Sequence, residues 1–405
     1  MQVFGADLAF SPIDEVALLQ RVNSLRDFGV APFADATVSM LGHLSRLLLE
    51  TQEAKRYPQF VALGYWLRPA MLQRMKQQFM AVAVEGEIAT CRGLALHLPP
   101  QNVDTLFVYS WALSVLAGNA NIVRMPSEMS PQVELLSRLI GRAMHESGES
   151  KRHIFCSYDH TTGLTGKISA ACDLRMIWGG DEKVLSVSRD PVRPDGLSLG
   201  FPDRQSLAVI SASHYSALDS GGRDTLAAQF YNDIYWFDQM GCGSPRVICW
   251  VGAPTGDADD LYQRIAVAAQ KKGYGAQAAL SISKFVHMNS MVADGTAASG
   301  RRFSPLLDVL NAPLSSDLPK RFHGGGMLAS VWIDALTDIT RLVNHATQTI
   351  THFGFTKADL RDLALALVGR GGFRLVPVGE ALAFQPVWDG VPLLQHMTRV
   401  ISWRS

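Results

Sequence analysis

The spacing of apolar residues along the chain changes character several times, and each change predicts an element. Over residues 1–80 the apolar positions fall at helical intervals. Ser39, Leu41, Leu44, Leu47 and Leu48 mark one such stretch, and Met71, Leu72, Met75 and Phe79 another. From about 93 the rhythm shortens. Gly93–Leu98 is an apolar run ended by Pro99 and Pro100, and a helix-like segment over 103–117 follows. Residues 121–124 read as a second strand. Pro131 then opens a helix with Val133, Leu136, Ile140 and Ala143 on one face. Runs at 174–178 and 206–210 read as a third and fourth strand. Strands alternating with helices predict a parallel sheet covered on both faces.

A second α/β unit is expected from 212. A helix from about 222 places Leu226, Phe230, Ile234 and Phe237 on one stripe and leads to Gly241, Cys242, Gly243, Ser244 and Pro245. A strand over 246–251, a helix over 257–271, a strand over 327–333 and a helix over 335–346 continue the alternation. The Gly- and Pro-rich stretch 369–392 reads as a segment closing back over the first unit. The expected domains are 1–211, 212–380 and a closing segment 381–405.

With 405 residues the chain is too long for one core. Hydrophobic residues make up 47% and charged residues 18%, with a formal net charge of zero. This excludes a disordered chain and gives no basic patch for nucleic acid. Apolar stretches are interrupted by polar or charged residues short of a membrane span, so none is expected. The N-terminus lacks a basic start and apolar core, so no secretory signal is expected. Cysteines at 91, 156, 172, 242 and 249 form no CxxC pair, which predicts neither a disulfide framework nor a metal site and fits the reducing cytoplasm.

Cys242 is the foremost chemical candidate. Glycine on either side removes bulk and permits unusual backbone angles, and Ser244 with Pro245 prevents helix continuation. A buried structural cysteine is the bland alternative, and Cys249, inside an apolar run, is read that way. Asn102 follows the first strand of the parallel sheet, where α/β folds place ligands. It could donate to an oxyanion, or simply cap the next helix. Trp178, Gly179, Gly180 and Asp181 spell strand, glycine turn and helix start, a place for phosphate. Gly196, Ser198 and Gly200 match the G-x-S-x-G of serine hydrolases, and His323–Gly326 resembles their oxyanion loop. A nucleophile elbow needs a strand before the serine and a helix after it; here two prolines precede and a strand follows.

Taken in order, these segments resemble the aldehyde dehydrogenase superfamily, and within it the Lux-type fatty acyl-CoA reductases of bacterial bioluminescence. The resemblance rests on His97–Val103, Gly118–Ser127, Trp178–Gly180, Tyr231–Pro245, Phe373–Gly379 and Trp388–Gly390. It implies a parallel-sheet cofactor domain plus an α/β catalytic domain. It implies Cys242 as nucleophile, with Asn102 and the Cys242 backbone N–H as oxyanion donors. Arg124 stands where the family usually has a lysine contacting the adenosine ribose. Ser127 stands where NAD-preferring relatives often carry a carboxylate. Gly179 and Gly180 would lie beside the pyrophosphate, Pro100 and Gly200 on the nicotinamide side. The expected reaction is reduction of an acyl-CoA or acyl-carrier thioester to aldehyde by NADPH, with NADH as the alternative donor. A homo-oligomer and an acyl-protein synthetase partner are also implied. The sequence departs from the family at Ser198, in place of the glutamate that activates water, and at 323–327, where a ribose-binding glutamate is usual. Gly243 replaces the usual serine. Rival readings are an aldehyde dehydrogenase running oxidatively, a silent acyl-binding scaffold and a serine hydrolase at Ser198.

Overall fold

The computed structural model describes residues 1–5, 9–100, 103–275, 277–315, 317–321 and 323–404. The chain forms two units, one of Met1–Pro202 with Phe384–Ser405, the other of Asp203–Ala383.

In the first unit the strands are β1 (Gln2–Phe4), β2 (Phe10–Pro12), β3 (Glu87–Cys91), β4 (Leu94–Leu98), β5 (Ala120–Met125), β6 (His153–Ser157), β7 (Leu174–Trp178) and β8 (Leu197–Phe201). The helices are α1 (Glu15–Ser24), α2 (Asp35–Glu50), α3 (Pro58–Trp66), α4 (Pro69–Met80), α5 (Leu106–Leu116), α6 (Pro131–Glu146), α7 (Leu164–Ser169) and α8 (Asp181–Ser188). Seven strands pair in the order β2-β1-β6-β5-β4-β7-β8, parallel from β6 to β8. The chain runs β4, β5, β6 in one direction and then crosses back to β7 and β8. The exits of β4 and β7 therefore flank the point where strand order reverses, the usual ligand crevice of open α/β sheets. Helix α5 is buried on every side, as its almost wholly apolar sequence requires.

The second unit contains β9 (Gln205–Ser211), α9 (Ala212–Ser216), α10 (Ser220–Tyr235), β10 (Pro245–Val251), α11 (Asp257–Lys271), α12 (Ala278–Ala293), β11 (Ser299–Ser304), β12 (Leu307–Asn311), β13 (Met327–Ile333), β14 (Thr347–Phe353), α13 (Lys357–Ala366) and β15 (Arg374–Pro377). Its sheet order is β11-β12-β13-β10-β9-β14-β15, with only β11 antiparallel to its neighbour. The boundary falls earlier than the expected 211/212, because β9 pairs with β10 and β14 and belongs to this sheet. The end of the chain returns to the first unit with β16 (Val387–Trp388), β17 (Val391–Pro392), α14 (Leu393–His396) and β18 (Thr398–Ser402). Phe384 packs on Trp66 and Tyr109, and the Tyr109 hydroxyl donates to the Gln385 carbonyl at 2.6 Å. So the closing segment exists, but it starts at 384; residues 369–383 stay in the second unit.

One local expectation fails. The helix expected over 335–346 is only a 3₁₀ turn, Leu336–Arg341. Polar side chains there bind nearby backbone instead: Asp338 accepts from Ala335 N–H, Thr340 donates to the Thr337 carbonyl, and Asn344 accepts from Ala346 N–H. The region 1–80 is mainly helix, with β1 and β2 adding an antiparallel edge to the first sheet.

A buried polar chain runs beneath the crevice. Trp178 Nε1 donates to Ser110 Oγ (3.0 Å), which lies 2.7 Å from His97 Nδ1, and His97 Nε2 lies 3.0 Å from Asn121 Oδ1. Neutral His97 fits this run, with Ser110 donating to Nδ1 and Nε2–H donating to Asn121. Burial lowers its pKa from the usual 6.5 to about 4 and pushes that of buried His153 down as well. Between those pH values the unfolded chain binds more protons than the folded one. Stability present above pH 6.5 is therefore lost as pH falls toward 4, by about 3 kcal/mol from His97 alone. We expect thermal melting to drop steeply over this range, and more shallowly in His97→Gln. Parallel acid limbs in the two proteins would contradict this.

Candidate active site

The first unit presents its candidate residues along one sheet edge. Pro99 and Pro100 follow β4; Asn102 lies outside the described residues. Ser127, with Glu128, is exposed in the bend beyond β5. Arg124, near the end of β5, donates through Nη2 to the Tyr158 carbonyl (3.2 Å) and lies over the Tyr158 ring. Its buried Nε has no partner among the described residues. Gly179 has φ 151°, a conformation that favours glycine, and its N–H donates to the Phe201 carbonyl at the end of β8. Gly180 is the N-cap of α8 and offers no side-chain acceptor to the first-turn N–H groups. Gly200 pairs with Ile177, and a Cβ there would meet Val184 of α8 at 2.7 Å, so its absence lets the helix close on the strand.

Lys183, which nothing in the sequence singles out, bridges the reversal point. Its ammonium donates to the carbonyls of Pro99 (2.8 Å), Trp178 (2.9 Å) and Leu98 (3.3 Å), at the ends of β4 and β7. Burial, and then the charge of Arg124, lower its pKa to about 8. The start of α8 has no side-chain cap, so its free N–H groups suit a phosphate. Asp181 and Glu182, in the first turn of α8, are exposed.

The second unit presents Cys242 on the turn between α10 and β10, partly exposed, while Cys156, Cys172 and Cys249 are buried. Burial pushes the thiols of Cys156 and Cys249 up to about 12, which makes them inert at neutral pH. The turn is closed by Ser244 N–H donating to the Gly241 carbonyl at 2.9 Å. The Cys242 carbonyl accepts from Ser206 Oγ at 2.6 Å, and that hydroxyl accepts from Thr349 N–H. Gln239, at φ 63°, uses its whole amide: Nε2 donates to the Pro245 and Met327 carbonyls, and Oε1 accepts from Gly326 and Met327 N–H. The Cys242 turn is thereby fastened to β9 and to the start of β13.

Arg246 donates to the carbonyls of Arg204 (3.2 Å), just before β9, and Pro319 (3.1 Å), between β12 and β13. Burial lowers its pKa, and the charge of Cys242 acts the other way. Like Lys183 and Gln239, Arg246 carries no local sequence signal for its role. Where the resemblance expects a ribose-binding carboxylate stands His323, whose Nε2 lies 2.8 Å from Ser283 Oγ. Ser198, where a water-activating glutamate is expected, is the second residue of β8, and its hydroxyl accepts from Arg175 Nε at 3.1 Å. Gly196–Gly200 is thus strand and strand approach, not an elbow, which removes the hydrolase geometry.

Among the described residues no helix is long and apolar enough to cross a membrane. Structures of similar fold include indole-3-acetaldehyde dehydrogenase complexed with NAD+ (11% identity, 98% of this chain and 90% of that one, TM-score 0.69). The Mycobacterium tuberculosis aldehyde dehydrogenase complexed with NAD+ is similar too (13%, 97% and 91%, TM-score 0.67). In sequence the chain is similar to a long-chain acyl-protein thioester reductase of Aliivibrio fischeri, 23% identical over 329 residues. That match covers 77% of this chain and spans 64% of the relative's length. A profile of the family described as acyl-CoA reductase (LuxC) matches residues 67–400, so the chain belongs to that family and has the aldehyde-dehydrogenase fold.

Proposed function

We propose that the protein is an oxidoreductase that reduces an acyl thioester, a fatty acyl-CoA or carrier-bound acyl group, to an aldehyde through a thioacyl-Cys242 intermediate. The observation that carries this reading is the fastened Gly-Cys-Gly turn, which offers a partly exposed thiol between α10 and β10. The Cys242 thiolate attacks the thioester carbonyl and the CoA thiolate leaves. Asn102 and the Cys242 N–H are the proposed oxyanion donors; one such donor contributes roughly 3 kcal/mol. The chemistry NADPH supplies when bound is hydride. The resulting thiohemiacetal alkoxide re-forms its C=O bond and expels the Cys242 thiolate, releasing aldehyde. Incubation with a panel of acyl-CoAs and NADPH, following loss of reduced-nicotinamide absorbance together with aldehyde, tests this. Cofactor oxidation with no acyl-CoA in the panel would sink it.

Pro100, Gly179, Gly180 and Gly200 line the proposed cofactor edge, with Arg124 and Ser127 facing the adenosine end. No carboxylate stands at 127 to repel a 2′-phosphate, and Arg124 supplies a planar cation nearby, so NADPH is the preferred donor. Ser127→Glu should move the NADPH-to-NADH ratio of kcat/KM toward NADH by about tenfold or more. Equal turnover of both donors by the unaltered protein would refute the preference.

Homo-oligomerisation is supported by the β3–β18 ribbon, which leaves Ile88, Val400, Ile401 and Trp403 exposed. An acyl-protein synthetase partner rests on the family resemblance alone. A cytoplasmic location fits five cysteines among which no disulfide forms.

A further inference from the structure

The two glycines beside Cys242 leave space that a single segment fills. A Cβ on Gly243 would stand 2.3 Å from the Ala381 carbonyl oxygen, and one on Gly241 would stand 2.9 Å from Leu382 Cδ2. Serine, usual at 243 in the family, would collide with backbone here. Residues 379–383 are therefore the wall against which the nucleophile turn rests, and they belong to no helix or strand.

Two charged side chains grip that wall from opposite chemical sides. The Asp233 carboxylate, fully buried on α10, accepts from Gly379 N–H (2.7 Å) and Ala381 N–H (2.9 Å). The Arg374 guanidinium donates to the carbonyls of Glu380 (2.7 Å), Ala381 (2.9 Å) and Ala383 (3.0 Å). One residue takes the segment's donors and the other its acceptors. We infer that Asp233 and Arg374 are positioning residues: together they clamp segment 379–383 and so set the place of the Cys242 turn. This rests on the reading of Cys242 as nucleophile. Burial pushes the Asp233 pKa up to about 7 against the pull of both N–H groups and Arg374, with Glu380 adding to the rise. The clamp acts on the segment's geometry through these five hydrogen bonds.

Asp233→Asn, Arg374→Met and the double variant test this with three readouts. These are hydrogen exchange across 239–245, the single-turnover rate of acyl transfer from acyl-CoA to Cys242, and the thiol pKa from iodoacetamide alkylation against pH. We expect exchange about tenfold faster or more, and acyl transfer slower by about tenfold to a hundredfold, since small misplacements at a reacting group have effects of that size. The thiol pKa should not move, and the double variant should be no worse than the worse single one, because both act through one segment. Wild-type exchange and acyl transfer in folded variants would overturn the clamp, and so would a changed thiol pKa as the sole effect. Arg374 is only partly buried, so Arg374→Met carries the test if Asp233→Asn fails to fold. If the unaltered protein takes no acyl group, the functional reading fails, and the exchange measurement still decides the clamp.

Discussion

Cys242→Ala should abolish acyl transfer and lower thioester reduction by at least about ten-thousandfold, the usual scale for loss of a covalent nucleophile. Cys249→Ala and Cys156→Ala should leave the chemistry intact, since burial holds both thiols protonated at neutral pH. The loss in Cys242→Ala should come without loss of fold. The turn is held by its backbone hydrogen bond and by the Gln239 and Ser206 side chains. Reductase activity within tenfold of wild type in this variant would end the covalent reading.

The second large effect concerns product. A thioacyl-enzyme must survive until hydride arrives, and a general base beside it would divert the acyl group to free acid. Such a base is worth about a hundredfold to ten-thousandfold. At the position where the resemblance expects one stands Ser198, a hydroxyl accepting a hydrogen bond from the Arg175 guanidinium. Neither group can take a proton from water at neutral pH. With labelled acyl-CoA and NADPH, aldehyde should therefore exceed free acid by about a hundredfold or more, and without NADPH hydrolysis should be slow. Rapid release of acid by the unaltered protein would favour the oxidative, hydrolytic alternative instead.

What could be read in the sequence follows a physical division. The one-sided helices α6 and α11 were legible from apolar spacing, β10 and β13 from short continuous apolar runs, and the Gly-Cys-Gly turn from its composition. Strand β14 was not, because its buried positions include Thr347, Thr349 and Thr351, which read as polar. Strand β8 was obscured by the glycines of a hydrolase-like motif, although its alternating exposure is that of a sheet edge. The 118–121 stretch of the family resemblance proved structural: Asn119 accepts from Arg92 and Gly93 N–H and donates to the Met397 carbonyl, tying β4 to the chain's end. Lys183, Arg246 and Asp233 act on partners brought near by the fold. Asp233 grips residues almost a whole domain away in sequence, and no local pattern announces that.

The central claim is a covalent bond between an acyl group and one sulfur. Incubating the protein with acyl-CoA in the absence of nicotinamide cofactor, then mapping the peptides by mass spectrometry, tests it most directly. The account predicts one acyl group per chain on Cys242, discharged as aldehyde when NADPH is added. An acyl group on Ser198, on another cysteine or on no residue would contradict it.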